Sequence, residues 1–238
     1  MTDKEPVSWI TVNGVHVPLF DGESKQDAIN RVVAKDATDK MSREIKSNQA
    51  QATVAEKQLE KPTKLKQENE SKFSATLKSA KDSRPIMDKW RVDEHTAEQL
   101  KERGCKCFSS SGGSTVAVDR DGDIISVCKK AGDKSVSGKD LLAEAVKMGG
   151  KKLDSFAGNH EFYAACGFEP IAYTPFNIDY APDGWKDSGC GQEEVIFYKY
   201  VGVGNVKNTD LETFLQHGKK FTGDDGYDKA MEYRNSKI

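Results

Sequence analysis

The chain has 238 residues, more than one ordinary domain needs and little for two. Hydrophobic residues make up 36% and charged residues 31%, with a mean hydropathy of -0.69, so part of the length is expected to be solvated or extended. A net charge of -2 and a pI near 6.1 exclude the electrostatic footprint of a nucleic-acid binder, and no apolar run approaches the roughly 20 residues of a membrane span.

No apolar segment follows Met1-Thr2-Asp3-Lys4-Glu5, so no signal peptide is expected. The five cysteines are Cys105, Cys107, Cys128, Cys166 and Cys190. An odd number without paired spacing argues against a disulfide framework and for a reducing cytosol. Cys105-x-Cys107 is not a zinc-ribbon spacing, and no metal site is expected.

In chain order, residues 8–20 carry Asn13-Gly14 between two β-branched runs, the signal of a tight β-hairpin. A lone hairpin is marginal in water, so it docks either on the protein's own body or on a partner. From Gly22 to about Ser83 the chain is polar and alternates in charge. Ile29, Val32 and Val33 form one helical stripe, but Val54, Leu59, Leu65, Phe73 and Leu77 are sparse. This reads as a helix or two followed by a flexible charged linker with a solvated face. Residues 1–84 are therefore set apart from an ordered domain at 85–203 and a helical tail at 204–238.

Within the ordered domain, Asp88 to Asp93 reads as a strand, and Thr96 to Gly104 as a helix stopped by glycine. Three strands follow at Cys105–Phe108, Thr115–Val118 and Ile124–Cys128, with Asp121-Gly122 in the last turn. A loop from Ala131 to Gly138 leads into a helix from Asp140 to Met148, whose apolar face is Leu141, Leu142, Ala145, Val146 and Met148. Lys152 to Phe156 alternates like a strand, Asn159 to Cys166 is a short helix stopped by Gly167, and Pro170 to Tyr173 is another strand. A long loop from Thr174 to Gln192 holds Tyr180, Trp185 and Cys190, which either line a pocket or form a packed lid. A final strand spans Glu194–Tyr200. In the tail, Thr209-x-x-Glu212 is a capping box, and no site is evident there. The fold class is α/β (α+β), a mixed and mostly antiparallel sheet flanked by helices, preceded by a hairpin and a charged linker.

The segment Asn159-x-x-Phe162-Tyr163-x-x-Cys166-Gly167-Phe168 resembles the C-terminal signature of the GNAT-type N-acetyltransferase superfamily, and the element order on both sides resembles that fold over about residues 88–200. The resemblance implies transfer of an acetyl group from acetyl-CoA to an amine by direct attack. It implies a loop opening a helix, whose backbone N–H groups hold the cofactor's pyrophosphate. The matching positions are Ser137, Gly138, Lys139 and Asp140. Of the family pattern Gln/Arg-x-x-Gly-x-Gly/Ala only Gly138 survives, with Asp133 at the Gln/Arg position and Val136 at the first glycine. Asp133 would repel phosphate, and Lys134 and Lys139 would compensate. Tyr163 matches the family's proton donor, and Asn159 the asparagine near the pantetheine, although Asn is also a good helix N-cap. The strand Ile124–Cys128 has no carboxylate, so Asp154 is the candidate base, ahead of Glu161 and His160.

The opening hairpin also resembles, briefly, hairpins of tailed-phage accessory proteins. Three readings follow. One is a phage-type acetyltransferase of the host cytoplasm. Another is a catalytically inactive structural or interaction protein with a virion or host partner. The third is a binder of a different ligand in the same cleft. Neither nucleic acid nor a membrane is an expected partner.

Overall fold

A computed structural model describes residues 6–12, 15–31, 64–181, 184–185 and 191–238. The chain forms two compact units, residues 1–56 and 57–238.

The first unit holds an antiparallel hairpin of β1 (Ser8–Val12) and β2 (Val15–Leu19), paired from Ser8↔Leu19 to Val12↔Val15. Its connecting Asn13-Gly14 lies outside the described residues. A helix, α1, begins at residue 25 and is described to residue 31. Arg31 ties it to the preceding turn through Glu23 at 2.9 Å and to the hairpin through the Pro18 carbonyl at 2.7 Å. Val7 and Trp9 remain exposed.

The second unit begins earlier than its composition suggests. Leu65–Glu68 is a strand, β3, and Glu70–Asp82 a helix, α2, inside the stretch expected to be linker. Asn69 caps α2 by accepting from Lys72 N at 2.9 Å. Phe73, Leu77 and Ala80 line one face of that helix and are fully buried. Three apolar positions suffice to dock it, each large one contributing about 2 kcal/mol. The expected strand at 88–93 is instead a short helix, α3 (Ile86–Lys89), and a turn. Pro85 at its N-cap favours a helix start over a strand there. Helix α4 (Ala97–Glu102) opens with a capping box of Thr96 and Gln99.

Two four-stranded sheets follow. The first has the order β3–β4–β5–β6, all antiparallel, with β4 at Lys106–Ser110, β5 at Thr115–Val118 and β6 at Ile124–Cys128. The β5–β6 turn is held by the Asp119 carboxylate, which accepts from Asp121 N at 3.0 Å and Asp123 N at 2.9 Å. The second sheet contains β7 (Lys152–Phe156), β8 (Phe168–Thr174), β9 (Val195–Tyr200) and β10 (Lys219–Lys220). Their spatial order is β10–β8–β9–β7, so β9 lies between β8 and β7. The sheets meet at one parallel bridge, Asp123↔Lys152, beyond which β6 and β7 part.

Helices α5 (Gly138–Lys147), α6 (His160–Ala165) and α7 (Leu211–His217) cover one face. Strand residues alternate between faces, so Val116, Leu153, Ile196 and Tyr198 join Leu141, Tyr163 and Phe214 in one core that spans both sheets. On the other face, α2 and α4 cover the first sheet around Leu77, Leu100 and Ala117. Helix α8 (Gly226–Asn235) covers the second around Ala172, Phe197 and Ala230. The α+β class therefore holds. No described helix is long and apolar enough to cross a membrane.

Candidate functional site

On β6, Ser126 adopts φ 53°, a left-handed conformation that a serine rarely takes, and the pairing with β5 shifts register there. The Ser126 hydroxyl meets His95 Nδ1 at 3.1 Å. Burial pushes the His95 imidazole below its ordinary value, with the Arg103 charge adding to the effect.

On β7, Asp154 and Ser155 are consecutive and so face opposite sides of the sheet. Ser155 Oγ accepts from Asn159 Nδ2 at 3.0 Å and is hydrogen-bonded to the Tyr163 hydroxyl. The structure thus joins the two signature residues through a serine that the sequence does not mark. Asn159 was expected to be able to cap α6; its side chain makes no capping bond and turns back to Ser155 instead. Tyr163 is buried against Phe162, Phe168 and Tyr198 at ring distances of 5.2, 6.2 and 5.5 Å. That burial pushes its phenol up to about 12.

Asp154 lies on the other face of β7 and is solvent-exposed. It keeps solvent contact yet is ringed by protein atoms. The lost hydration raises its carboxyl to about 6; Asp123 and Asp93 push the same way, while Arg234 and a hydrogen bond from the Tyr227 hydroxyl oppose them. The Tyr227 side chain is 44% exposed, and lost hydration of its hydroxyl together with the Asp154 charge raises the phenol above the ordinary tyrosine range. Arg234, 1% exposed, meets Asp123 through both terminal nitrogens at 3.0 Å. Lys152 lies 3.4 Å from the same carboxylate and donates to Asn235 Oδ1 at 3.0 Å. Tyr227 and Arg234 lie in the tail, where no site was expected. The overlooked signal is Tyr227-x-x-Ala230-x-x-x-Arg234, one helical face ending in a cation.

The raised Asp154 carboxyl has a testable sign. The native state holds this proton more tightly than the unfolded chain, whose ordinary value is 3.8. Ionised Asp154 therefore costs stability, a cost absent below pH 3.8, growing from there to about 6, and complete above. Solvent contact reduces the cost from the full shift to about 1 kcal/mol. Asp154→Asn is expected to raise the unfolding free energy, read from the urea midpoint, by that amount at pH 7.5 and to leave it unchanged at pH 3.5. Equal midpoints at pH 7.5 would refute the strained carboxylate.

Of the alternative bases, His160 is buried between Tyr198 and Phe214, bonded to Tyr198 Oη at 3.3 Å and to the Thr209 carbonyl at 3.2 Å. It braces α6 against α7. Glu161 is exposed on α6. In the long loop, Trp185 is buried and stacks on Phe176 at 4.7 Å and Phe156 at 5.5 Å. It belongs to an aromatic lid beside β7; the Tyr180 side chain and Cys190 lie outside the described residues.

The expected phosphate loop is bound to itself. Ser137 Oγ accepts from Asp140 N at 3.1 Å, and Asp140 Oδ2 accepts from Ser137 N at 2.7 Å, a reciprocal capping box at the start of α5. Asp133 Oδ1 takes Ser135 N at 2.8 Å, while its Oδ2 takes the hydroxyls of Ser110 and Ser114 at 2.5 Å each. These bonds outweigh burial and hold the Asp133 carboxyl far below the usual range. Gly112 is fitted to this carboxylate, since a Cβ there would lie 2.0 Å from Asp133 Oδ1. Gly138 fits against Phe162 at 3.0 Å, and Lys64 pairs with Asp140 at 3.5 Å. The amides of Ser135, Ser137 and Asp140 serve this protein's own groups, and the carboxylates of Asp133 and Asp140 that take them would oppose an anion there. Two surface hollows, of about 280 and 490 Å³, are lined respectively by Lys151, Lys199 and Lys237 and by Glu161, Ala164 and Val206, away from both features.

No protein-family model, curated protein or solved structure matches the chain.

Proposed function

We propose that the second unit is a GNAT-like domain that binds a cationic amine at Asp154 without using acetyl-CoA, and thus a non-catalytic, interaction-type relative of an acetyltransferase. The element order supports the family likeness. It runs strand, early helices, three strands, helix, strand, helix and two strands, with β9 inserted beside β7 and the sheets parting between β6 and β7. Helices α2 and α4 supply both early helices of that order, and Leu65–Glu68 its first strand. One observation carries the loss of acetyl-CoA: Asp140 and Asp133 occupy the loop amides. With this reading goes a phage-type protein of the host cytoplasm, whose exposed hairpin residues Val7 and Trp9 suit a tether to a virion or host partner.

The competing reading is acetyl transfer to an amine. It is favoured by the Asn159–Ser155–Tyr163 chain on one side of β7 and the raised Asp154 carboxyl on the other. In that reading Tyr163 is the proton donor. Calorimetry of the full chain with acetyl-CoA separates the two. No heat is expected at millimolar concentration. Micromolar binding, with Tyr163→Phe losing turnover but keeping affinity, would establish the transferase instead.

A further inference from the structure

Among the described residues a positive backbone φ belongs to glycine, with one exception: Ser126, at 53° in β6. Glycine takes that conformation without strain, whereas a Cβ crowds the following carbonyl oxygen. The chain keeps a side chain here despite the strain. That side chain is a hydroxyl, and it lies 3.1 Å from His95 Nδ1. A bulge re-aims it: β6 fits Ser126 and Val127 where β5 has Val116 alone. Both members of the pair are pinned through their backbones. Thr115 Oγ1 donates to the Ser126 carbonyl at 3.0 Å, and Ser74 Oγ on α2 donates to the His95 carbonyl at 2.9 Å. His95 is half-buried, and Ser126 keeps 7% of its surface exposed. Past the Asp123↔Lys152 bridge no described strand pairs with the far edge of β6, so the pair borders an open strand edge.

A hydroxyl within hydrogen-bond reach of an imidazole, on a strained backbone that fixes its position, is the arrangement of an activated serine. The geometry points to Ser126 and His95 as a nucleophile–base pair that cleaves carboxylic esters. This activity is separate from acetyl transfer, which the domain is read as having lost, and it does not depend on Asp154. Neutral His95 accepts the Oγ proton at Nδ1 as Oγ bonds to the ester carbonyl carbon. The imidazolium returns that proton to the alkoxide leaving group as its C–O bond breaks, which leaves an acyl-Ser126. Water, deprotonated by the same nitrogen, adds to the acyl carbon and releases the carboxylic acid and the free serine. Burial holds the imidazole below its ordinary value of 6.5, with Arg103 at the end of α4 and Lys81 on α2 pushing the same way and Asp93 opposing. At pH 7 the ring is therefore neutral and able to accept.

The test uses the full chain and a fluorophosphonate, which adds to an activated serine: the Oγ–P bond forms, the P–F bond breaks, and the proton leaves with fluoride. Mass spectrometry counts and maps the adduct. The wild type is expected to carry one adduct, on Ser126, at a rate that is half-maximal below pH 6.5. His95→Gln keeps a polar partner for the hydroxyl and is expected to slow labelling about a hundred-fold. Ser126→Gly is expected to show no adduct and no loss in urea midpoint, because glycine adopts the local φ without strain. Release of p-nitrophenolate from p-nitrophenyl acetate is expected to rank the three proteins in the same order. An unlabelled wild type, an adduct on another serine, or equal rates with and without His95 refutes the pair. An unlabelled wild type together with a lowered midpoint in Ser126→Gly assigns the hydroxyl to holding β6 alone.

Discussion

Replacing Asp133 with alanine is expected to lower the stability of the second unit by about 4 kcal/mol, among the largest effects of any single polar substitution in this chain. The carboxylate is the hub of the loop between β6 and α5. It accepts from the hydroxyls of Ser110, Ser114 and Ser135 at 2.5, 2.5 and 2.6 Å, and from the amide of Ser135 at 2.8 Å. Ser110 and Ser114 are 6% and 0% exposed, so the variant leaves buried hydroxyls with no replacement from solvent. Hydrogen bonds to a charged acceptor are the stronger kind, and losing several at once compounds the cost. The pH dependence follows from the depressed carboxyl. Its stabilisation is complete above the ordinary value of 3.8 and fades as pH falls further. The gap between wild type and Asp133→Ala is therefore wide at pH 7 and narrower at pH 3. A change in urea midpoint worth less than about 1 kcal/mol at pH 7 would show that the loop holds without its hub.

The second large effect is expected at Arg234. Arg234→Met removes a guanidinium that is 1% exposed and leaves Asp123, its side chain 15% exposed, facing Lys152 alone at 3.4 Å. Breaking a buried ion pair from one side costs about 3 kcal/mol, because the remaining charge stays in a poorly solvating site. Replacing both partners costs less than the sum, so Asp123→Asn combined with Arg234→Met is expected to recover at least about 1 kcal/mol in a double-mutant cycle. Additive losses would mean that α8 is held by its apolar contacts and that the ion pair is incidental.

Sequence spacing located most of the fold wherever local pattern and packing agree. The strands at 115–118 and 124–128 lie where alternation puts them, and the helix expected from Asp140 opens two residues earlier, at Gly138. Gly167 takes φ 89° after α6, as its position as a helix stop requires. The stretch from Leu65 to Asp82 was obscured because β3 is an edge strand with one fully buried side chain, and α2 docks through Phe73, Leu77 and Ala80 amid lysines and glutamates. Composition over a long window averages such a stripe away.

The candidate site was legible only in part. Asp154, Asn159 and Tyr163 lie around one strand, but what each does is set by partners distant in sequence. Tyr227 is 73 positions from Asp154, and Arg234 is 111 positions from Asp123. No local pattern encodes those pairings. The loop at Ser137 to Asp140 was visible as a departure from a family pattern, yet the reciprocal bonds that close it are a matter of side-chain geometry.

The placement of β9 between β7 and β8 has a consequence for synthesis. A ribosome delivers β7 and β8 first, and they flank an empty slot one strand wide, about 9.6 Å between their axes. Until Val195 to Tyr200 emerges, each borders that slot with unpaired backbone donors and acceptors, and Phe168, Leu153 and Tyr173 lack the middle of their core. The nascent chain thus carries two open strand edges for the time it takes to make the intervening loop. Filling the slot with one segment completes the β7–β9 and β8–β9 ladders at once, leaving only the two-residue β10 to join β8.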